Sequence, residues 1–347
     1  MKLTAKIIIL FGVINMLVGT AFAEQFVHWN QQYDGSGSEY GYSILNTTDG
    51  NIIIPGHSYI NNNTDAYIVK TDAQGDTIWT RLVGGTGSDN VKDVVETTSG
   101  AYLFGGTTNS TGAGDNDFWL IKMNPDGTTL ATYTYGSTGR EYLSAIEVTR
   151  DGNYLLVGST WTPDNSSSGT LIIKVDSDGN EIWSSTRYES LISNVISIIH
   201  GVDDGYIILG GSGGDPNTLI IEKIDESGNL VWSQYYGGTT SPWTHIYGRA
   251  IIQSTELDGY LIVGAHEFWE PDNNYLLYLL KVDATGDSLW SKIYSNSGQT
   301  YSHSQSTFGK SLIEYNNNYL IAGETGPYGS SSKCVESEQV GADSMIP

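Results

Sequence analysis

Short apolar runs alternate with turn dipeptides along most of the chain. The runs at residues 171–173 and 206–209 are rich in branched aliphatic side chains. Runs of this length and composition predict β-strands that are buried on both faces. The turns between them contain Gly, as in Asp151-Gly152 and Ser99-Gly100, and Gly supplies the positive φ that tight hairpins need. The pattern predicts an all-β protein built from antiparallel hairpins.

One sequence motif recurs five times, four times complete. It reads Lys, any residue, Asp, two residues, Gly, three residues, Trp. The complete copies begin at Lys70, Lys174, Lys223 and Lys281. The fifth copy begins at Lys122, and in it Asn124 replaces the Asp and Ala131 replaces the Trp. The five lysines are 52, 52, 49 and 58 residues apart, and repetition at such a period indicates a repeat architecture.

A second motif keeps the same period and completes the repeating unit. It is a turn dipeptide followed by an apolar run that ends in Gly, at residues 49–56, 99–106, 151–158, 204–210, 258–264 and 317–323. Each unit is therefore predicted to contain four short strands, a to d. In the second unit these are residues 91–98, 101–106, 117–123 and 129–135.

Four antiparallel strands that repeat about every 50 residues are typical of a β-propeller. A solenoid is the structural alternative, but a ring buries both faces of every sheet. Residues 26–33, with Trp29, match strand d and have no earlier strands of their own. Residues 308–315 and 319–323 match strands a and b. We therefore predict six four-stranded blades, the last of them closed by the N-terminal strand.

The domain prediction follows from this closure. Residues 24–335 form a single propeller domain, and residues 336–347 resemble nothing upstream. That last segment is predicted to be an irregular tail, and a truncated or frame-shifted chain is the alternative, in which case the blade count changes.

The N-terminus predicts export. Lys2 and Lys6 flank the start of an apolar run at residues 7–18, and Ala21 and Ala23 give a small-residue cleavage signal. This is the pattern of a signal peptide spanning residues 1–23, and it predicts a secreted or cell-surface protein with no membrane insertion after cleavage. Cys334 is the only cysteine, so the fold has no intramolecular disulfide and depends on its core.

The net charge limits the classes of partner that the protein can bind. The chain of 347 residues has 39 acidic and 16 basic side chains, a net charge of −23. Phosphate backbones and anionic lipids would be repelled, so nucleic acid is excluded as a partner, and we expect a monomer that binds a glycan or a surface protein.

The Asp-x-x-Gly-x-x-x-Trp hairpins resemble the tryptophan-docking motif of quinoprotein-like propellers. The whole unit resembles a repeat of exported bacterial and archaeal surface proteins, many of which carry a type IX secretion sorting domain. The resemblance covers residues 26–325 and implies a propeller fold and export, with little about activity. In this interpretation each Trp packs against a neighbouring blade and bonds a backbone carbonyl through its indole N–H, and each Asp caps its own turn.

Candidate binding residues lie in the unequal b–c and d–a connections, because binding residues concentrate on variable loops. Aromatic rings among polar side chains there suit stacking on sugars or peptide contacts; the alternative is that the rings pack their own loops. The candidates are His57, Tyr59, Trp161, Trp243, His266 and Trp269.

Candidate catalytic residues are the acids Glu96, Glu147 and Glu314 on the a strands, which line the channel of a propeller. Paired carboxylates there could perform acid–base chemistry on a glycoside; the alternative is a solvated channel lining. Oxygen-rich stretches at residues 115–117 and 176–180 are the only candidates for Ca²⁺. Because Asp176 occupies a turn position of the repeat, we predict no bound cofactor or metal.

These observations favour an exported, non-enzymatic propeller for recognition or surface assembly, binding glycan or protein through the end that carries the long loops. The alternative is a propeller hydrolase or lyase that acts on polysaccharide with the channel carboxylates. A third interpretation is a purely structural module of a surface protein.

Overall fold

The fold is described from a computed structural model. It covers residues 31–33, 35, 37–188, 190–212, 218–237, 244–254, 259–268, 274–294, 306–315, 318–326, 333–334 and 338–341. The regular secondary structure of these residues is entirely β, and they contain no helix long and apolar enough to cross a bilayer. The predicted signal peptide, residues 1–23, lies outside this range.

Six antiparallel sheets follow one another along the chain. Sheets 1 to 3 contain β1 (Ser38–Gly41), β2 (Leu45–Asn46), β3 (Ile52–Ile60), β4 (Asn63–Thr71), β5 (Thr77–Val83); β6 (Asp89–Glu96), β7 (Tyr102–Thr108), β8 (Asp117–Met123), β9 (Thr129–Tyr135); and β10 (Arg140–Val148), β11 (Tyr154–Trp161), β12 (Ser168–Val175), β13 (Glu181–Arg187). Sheets 4 to 6 contain β14 (Asn194–His200), β15 (Tyr206–Gly211), β16 (Leu219–Ile224), β17 (Leu230–Tyr236); β18 (Thr244–Ser254), β19 (Gly259–Phe268), β20 (Asn274–Asp283), β21 (Ser288–Tyr294); and β22 (Ser306–Tyr315), β23 (Asn318–Gly326), β24 (Lys333–Cys334), β25 (Glu338–Gly341).

The molecule is a β-propeller. Sheets 2 to 5 each have the order a-b-c-d that the repeat predicts, and strands c and d of the second unit have the predicted bounds. From sheet 2 to sheet 6 the a strand of each sheet contacts the a strand of the next. The a strands are therefore innermost, and the d strands form the outer edge. In sheet 1 the a strand is divided into β1 and β2, which both pair with β3.

Five apolar cores join the six sheets in chain order. The core between sheets 1 and 2, for example, combines Ile53 and Ile68 with Phe104 and Ile121, all 0% exposed. Successive residues of one b strand enter different cores, since Leu103 packs toward sheet 3 while Phe104 packs toward sheet 1. This arrangement explains why the b and c strands are apolar on both faces, and burying each such side chain contributes about 1.5–3 kcal/mol.

The Gly that ends each apolar run has a steric cause. On β7, a Cβ added to Gly106 would clash with the carbonyl oxygen of Asn90 on the neighbouring a strand. The a strand has a β-bulge beside it, between Val91 and Asp93. The same clash would occur on the b strands of four other sheets, at Gly56, Gly158, Gly264 and Gly323. The second sequence motif therefore encodes a close approach of strands a and b.

Sheet 6 contains a c strand in two pieces. Both β24 and β25 pair with β23, at Thr325↔Lys333 and at Asn318↔Gly341. The segment predicted to be an irregular tail, 336–347, thus includes a four-residue strand. The predicted closing strand, residues 26–33, is described only from residue 31 onward, and there Tyr33 packs against Ile52 and Val69 of sheet 1.

Candidate functional site

The end of the propeller that carries the a–b and c–d turns, here called the turn face, uses its charged residues for structure. The ammonium groups of Lys70 and Lys174 are buried and lie 2.8 and 2.7 Å from the turn carboxylates of Asp49 and Asp151. Hydrogen bonds from Lys174 and Thr149 hold the pKa of Asp151 well below its usual value. These Lys–Asp pairs fix the repeat's own hairpins.

Sheet 2 shows what happens when the pair is broken. Ser99 replaces the turn Asp there, and Lys122 instead donates to the carbonyl of Ser177 at 2.6 Å and lies 3.1 Å from Asp178, in the next blade. A substituted turn therefore redirects the lysine into a contact between blades.

Trp79, Trp183 and Trp232 dock on the c–d turn of the next blade, as predicted. Trp79 donates its indole N–H to the carbonyl of Pro125 at 3.0 Å. Trp183 covers Gly228, where a Cβ would clash with its ring. In sheet 2, where Ala131 replaces Trp, the ring of Tyr133 covers the equivalent turn glycine. The turn aspartates cap their turns, as predicted.

The opposite end, here called the loop face, carries an exposed aromatic cluster on sheet 1. Tyr40 stacks on His57 with ring centroids 4.8 Å apart, and the Tyr42 hydroxyl shares a 2.8 Å hydrogen bond with His57 Nδ1. Lys92 lies 3.4 Å above the Tyr42 ring. Tyr40, Tyr42 and Tyr59 are 41%, 43% and 47% exposed. Burial, with a smaller contribution from Lys92, lowers the pKa of His57.

The sequence placed His57 and Tyr59 in a long b–c loop, and this prediction is wrong, because both lie on strand β3. Strand β3 continues to Ile60, strand β4 begins at Asn63, and a two-residue turn joins them. Asn61 and Asn62 adopt φ of 50° and 65°, the left-handed conformation that such a turn requires. A strand pair holds both rings on a rigid scaffold.

A second aromatic platform lies on sheet 3. Trp161, at the end of β11, packs edge-on against Tyr142, with centroids 5.5 Å apart. Asn116 donates to the Tyr142 hydroxyl at 3.2 Å. Trp161 occupies the same register position as Tyr59 in sheet 1. In both b strands the preceding residue, Thr160 or Ser58, pairs with a glutamate on strand a. The repeat thus carries aromatic rings at equivalent places on two blades.

The remaining predicted binding residues divide into two groups. His266 lies on β19, half-buried, 6.0 Å from the ring of Tyr278, and burial lowers its pKa. It belongs to the blade rather than to an exposed rim. Trp243 and Trp269 lie outside the described residues, so their role stays a prediction.

The predicted channel acids do not share one level. Glu96 and Glu314 lie opposite b-strand tyrosines, whereas Glu147 lies opposite Leu155, one residue displaced. Alternate residues of a strand point in opposite directions, so the three carboxylates do not form one group. Glu96 accepts hydrogen bonds from the backbone N–H and the hydroxyl of Thr48, both 2.7 Å. These bonds connect sheet 2 to sheet 1.

Glu147 has partners that the sequence did not predict. Its carboxylate lies 3.5 Å from His200 Nε2, and His200 donates that N–H to the Val148 carbonyl at 2.7 Å. Burial, then the charge of Asp93, raises the pKa of Glu147 to about 7. Asp93 follows Lys92 on strand a, in a stretch of mixed polar and apolar residues, so the local sequence carried no signal that would have identified it.

Asp93 connects three blades. Its carboxylate accepts hydrogen bonds from the Ser43 hydroxyl at 3.0 Å and from the Ile146 backbone at 3.1 Å. Burial raises its pKa as well. Asp93, Glu147 and His200 therefore place two carboxyls and an imidazole on three successive a strands, and the raised pKa of Glu147 suits this carboxyl to proton exchange near neutral pH.

The two predicted calcium segments differ. Asp176 uses its carboxylate to cap its own turn, accepting from the backbone of Asp178 at 2.8 Å and of Asn180 at 2.9 Å. Within the described part of the chain, no three His, Cys, Asp or Glu side chains are grouped to hold a metal. Asp117, at the end of the other segment, is 1% exposed.

Comparisons with known proteins concern the fold. No family model matches the sequence, and no curated protein matches it significantly. Among solved structures, a protein of unknown function from Dyadobacter fermentans has a TM-score of 0.55 at 10% identity, over 85% of this chain and 93% of the other. Puromycin hydrolase has a TM-score of 0.53 at 12% identity, over 91% of this chain, which spans 48% of the hydrolase.

An α-L-arabinofuranosidase from Fusarium graminearum has a TM-score of 0.49 at 12% identity, over 86% of this chain and 92% of the other. Likeness at such low identity shows architecture alone. The quinoprotein-like and type IX parts of the resemblance, and export, stay predictions, and what the structure establishes is that the chain is a β-propeller.

Proposed function

We propose that this protein is an exported carbohydrate-binding propeller whose loop face binds a polysaccharide. The observation that carries the proposal is the set of exposed tyrosines Tyr40, Tyr42 and Tyr59 on sheet 1, of which the first two contact His57. Aromatic rings offer a large flat contact area and Tyr adds a hydroxyl, which together match the apolar faces and polar edges of sugar rings.

The second platform extends the binding surface. Tyr142, which is 40% exposed, and Trp161 lie on sheet 3, two blades along from the tyrosine cluster. Two aromatic platforms on separate blades favour an extended chain over a single sugar. The net charge of −23 disfavours anionic polysaccharides, because the field of the protein repels them. We therefore expect a neutral glycan as ligand.

A glycan and polysaccharide array probed with residues 24–347 tests the proposal. Binding that falls at least roughly tenfold in Tyr42→Ala, Tyr59→Ala or Trp161→Ala would support it, since truncation of a central aromatic contact costs about 1–3 kcal/mol. Tyr235→Ala is the matched control, because Tyr235 is 60% exposed on the outer strand β17. Binding that none of the three variants weakens would contradict the proposal, and capture of a surface protein alone would favour the protein-binding alternative.

Hydrolysis of the same class of ligand is the second candidate function. It rests on Glu147, whose pKa of about 7 suits a general acid at neutral pH, and on its coupling to Asp93. Glycosidases use one protonated and one ionised carboxyl. The Glu147 side chain is 23% exposed, so solvent reaches it.

Reducing-end release from any polysaccharide that binds distinguishes the two functions. The hydrolase hypothesis predicts turnover that is lost in Glu147→Gln while binding persists. Asp93→Asn should also reduce turnover and should shift the acidic limb of the pH profile. Tight binding without any product, over the range pH 4 to 8, would exclude this candidate and leave recognition.

A further inference from the structure

Two d–a connections share a glycine-rich pattern that ends in an acid on the next a strand. They are residues 84–89 and 136–141, with sequences Gly-Gly-Thr-Gly-Ser-Asp and Gly-Ser-Thr-Gly-Arg-Glu. In each connection, the final acid accepts a hydrogen bond from the backbone of its own loop. Asp89 accepts the Gly85 N–H at 2.7 Å, and Glu141 accepts the Ser137 N–H at 3.1 Å. Both acids lie on the loop face, between successive blades.

A second carboxylate from the preceding blade meets each of these acids. A Cβ placed on Gly136 would clash with Oδ1 of Asp117 and lie 2.5 Å from Oε2 of Glu141. In the same way, a Cβ placed on Gly84 would clash with Oδ1 of Asp65 and lie 2.8 Å from Oδ2 of Asp89. Both glycines thus lack a side chain where two carboxylates converge, and the arrangement is built twice, between sheets 1 and 2 and between sheets 2 and 3.

The pair between sheets 2 and 3 is deeply buried. Asp117 and Glu141 are each 1% exposed. Of the described cationic side chains, none pairs with either carboxylate. Glu141 accepts from the Ser137 hydroxyl at 2.8 Å and from the Thr160 hydroxyl at 3.1 Å. Oδ1 of Asp117 is buried and has no hydrogen-bond partner.

Such a pair is unstable unless a positive charge joins it. Two buried like charges repel strongly at low local dielectric, and the unpaired buried oxygen of Asp117 lacks the hydrogen bonds that water would give it. Either a proton or a cation must offset the repulsion.

We propose that the convergence of Asp117 and Glu141 binds a divalent cation of the Ca²⁺ type. Hard cations take oxygen ligands from carboxylates, hydroxyls, carbonyls and water. A cavity of about 290 Å³, lined by Gly136, Ser137, Glu141 and Thr160 among others, adjoins the Glu141 side of the pair. Because only two carboxylates are available, neutral oxygens and water complete the coordination.

The ion would fasten one blade to the next. Asp117 begins β8 of sheet 2, and Glu141 lies near the start of β10 of sheet 3. Binding would replace repulsion between the blades with a shared ligand and would order both neighbouring loops. The cation would therefore stabilise the loop face independently of any carbohydrate.

Equilibrium dialysis of the chelator-treated protein against Ca²⁺ alone, together with thermal unfolding with and without Ca²⁺, tests the proposal. We expect saturable binding and a rise in Tm that grows with ion concentration. Asp117→Asn should weaken Ca²⁺ binding at least roughly tenfold and should raise the Tm of the metal-free protein, because it removes the repulsion. Glu141→Gln serves as a second variant.

Asp204→Asn is the control, since Asp204 is fully exposed on the turn face and its removal changes the net charge equally. An equal loss of Ca²⁺ binding in this control would mean that the ion responds to net charge alone, and the site would be rejected. Absence of Ca²⁺ binding, with a Tm that instead rises on acidification and loses this rise in Asp117→Asn, would assign the pair to a shared proton and overturn the proposal.

Discussion

The hydroxyl of Tyr33 donates a hydrogen bond of 2.9 Å to the carbonyl oxygen of Gly75, in the c–d turn of sheet 1. Two d-strand tyrosines make the same contact with the next blade: Tyr135 with Gly179 at 2.6 Å, and Tyr236 with Gly286. Tyr33 therefore stands toward sheet 1 as a d-strand residue stands toward the blade that follows it. This relationship supports ring closure by the N-terminal segment.

Tyr33→Phe should consequently destabilise the propeller as much as the equivalent substitution between two blades inside the ring. Loss of the hydroxyl leaves the Gly75 carbonyl without this donor, at a cost of about 1 kcal/mol. Tyr135→Phe is the matched variant inside the ring. Urea unfolding of both should give similar losses of stability; an unchanged midpoint for Tyr33→Phe alone would argue against closure by this segment.

The Lys174–Asp151 pair predicts sensitivity to acid. The folded-state pKa of Asp151 lies below its usual 3.8, so its contribution is present above about pH 4 and is lost as the pH falls through the folded value. Asp151→Asn should flatten this part of the stability curve, and at pH 7 it should cost about 1–2 kcal/mol, because Lys174 keeps a buried ammonium without its carboxylate. An unaltered acid limb in the unfolding curves would refute this account of the turn face.

Glu147 predicts the opposite pH dependence. Its folded-state pKa of about 7 exceeds the usual 4.5, so the folded protein binds a proton that the unfolded chain has released, and stability falls as the pH rises from 4.5 to about 7. Glu147→Gln should remove this loss and stabilise the protein at pH 8 by on the order of 2 kcal/mol. Thermal unfolding at pH 5 and pH 8 measures the difference, and a variant that gains nothing at pH 8 would contradict it.

Gly106 predicts a severe steric effect. Gly106→Ala places a methyl group against the Asn90 carbonyl beside the bulge, and the required backbone shift should cost roughly 1–3 kcal/mol or more. Gly100→Ala has open space around it but a φ of +81°, so about 1 kcal/mol is expected. If urea unfolding shows Gly106→Ala to be the milder of the two, the bulge is not the reason for this glycine.

Local patterns in the sequence predict the blades well. Hairpin chemistry and strand composition act within a few residues, so the bounds of β8 and β9 could be read directly, and so could the docking of Trp79 on the next blade. The two-residue turn at Asn61 and Asn62 was missed, because either a loop or a left-handed Asn pair fits those residues.

The candidate sites were less predictable, because they join blades that are far apart in sequence. Asp93 meets Ser43 and Ile146, each about a full repeat away. Asp117 meets Glu141 only because Gly136 leaves room for both. These separations along the chain do not mark the residues as partners. Packing between neighbouring blades decides which acids converge, and the sequence does not reveal that packing.

A crystal structure of the protein with the tightest-binding oligosaccharide from the array tests the functional account most directly. The account predicts sugar rings stacked on Tyr42 and Tyr59 or on Trp161, at the loop face. A ligand seated on the outer d strands or on the turn face, with these rings uncovered, would contradict it.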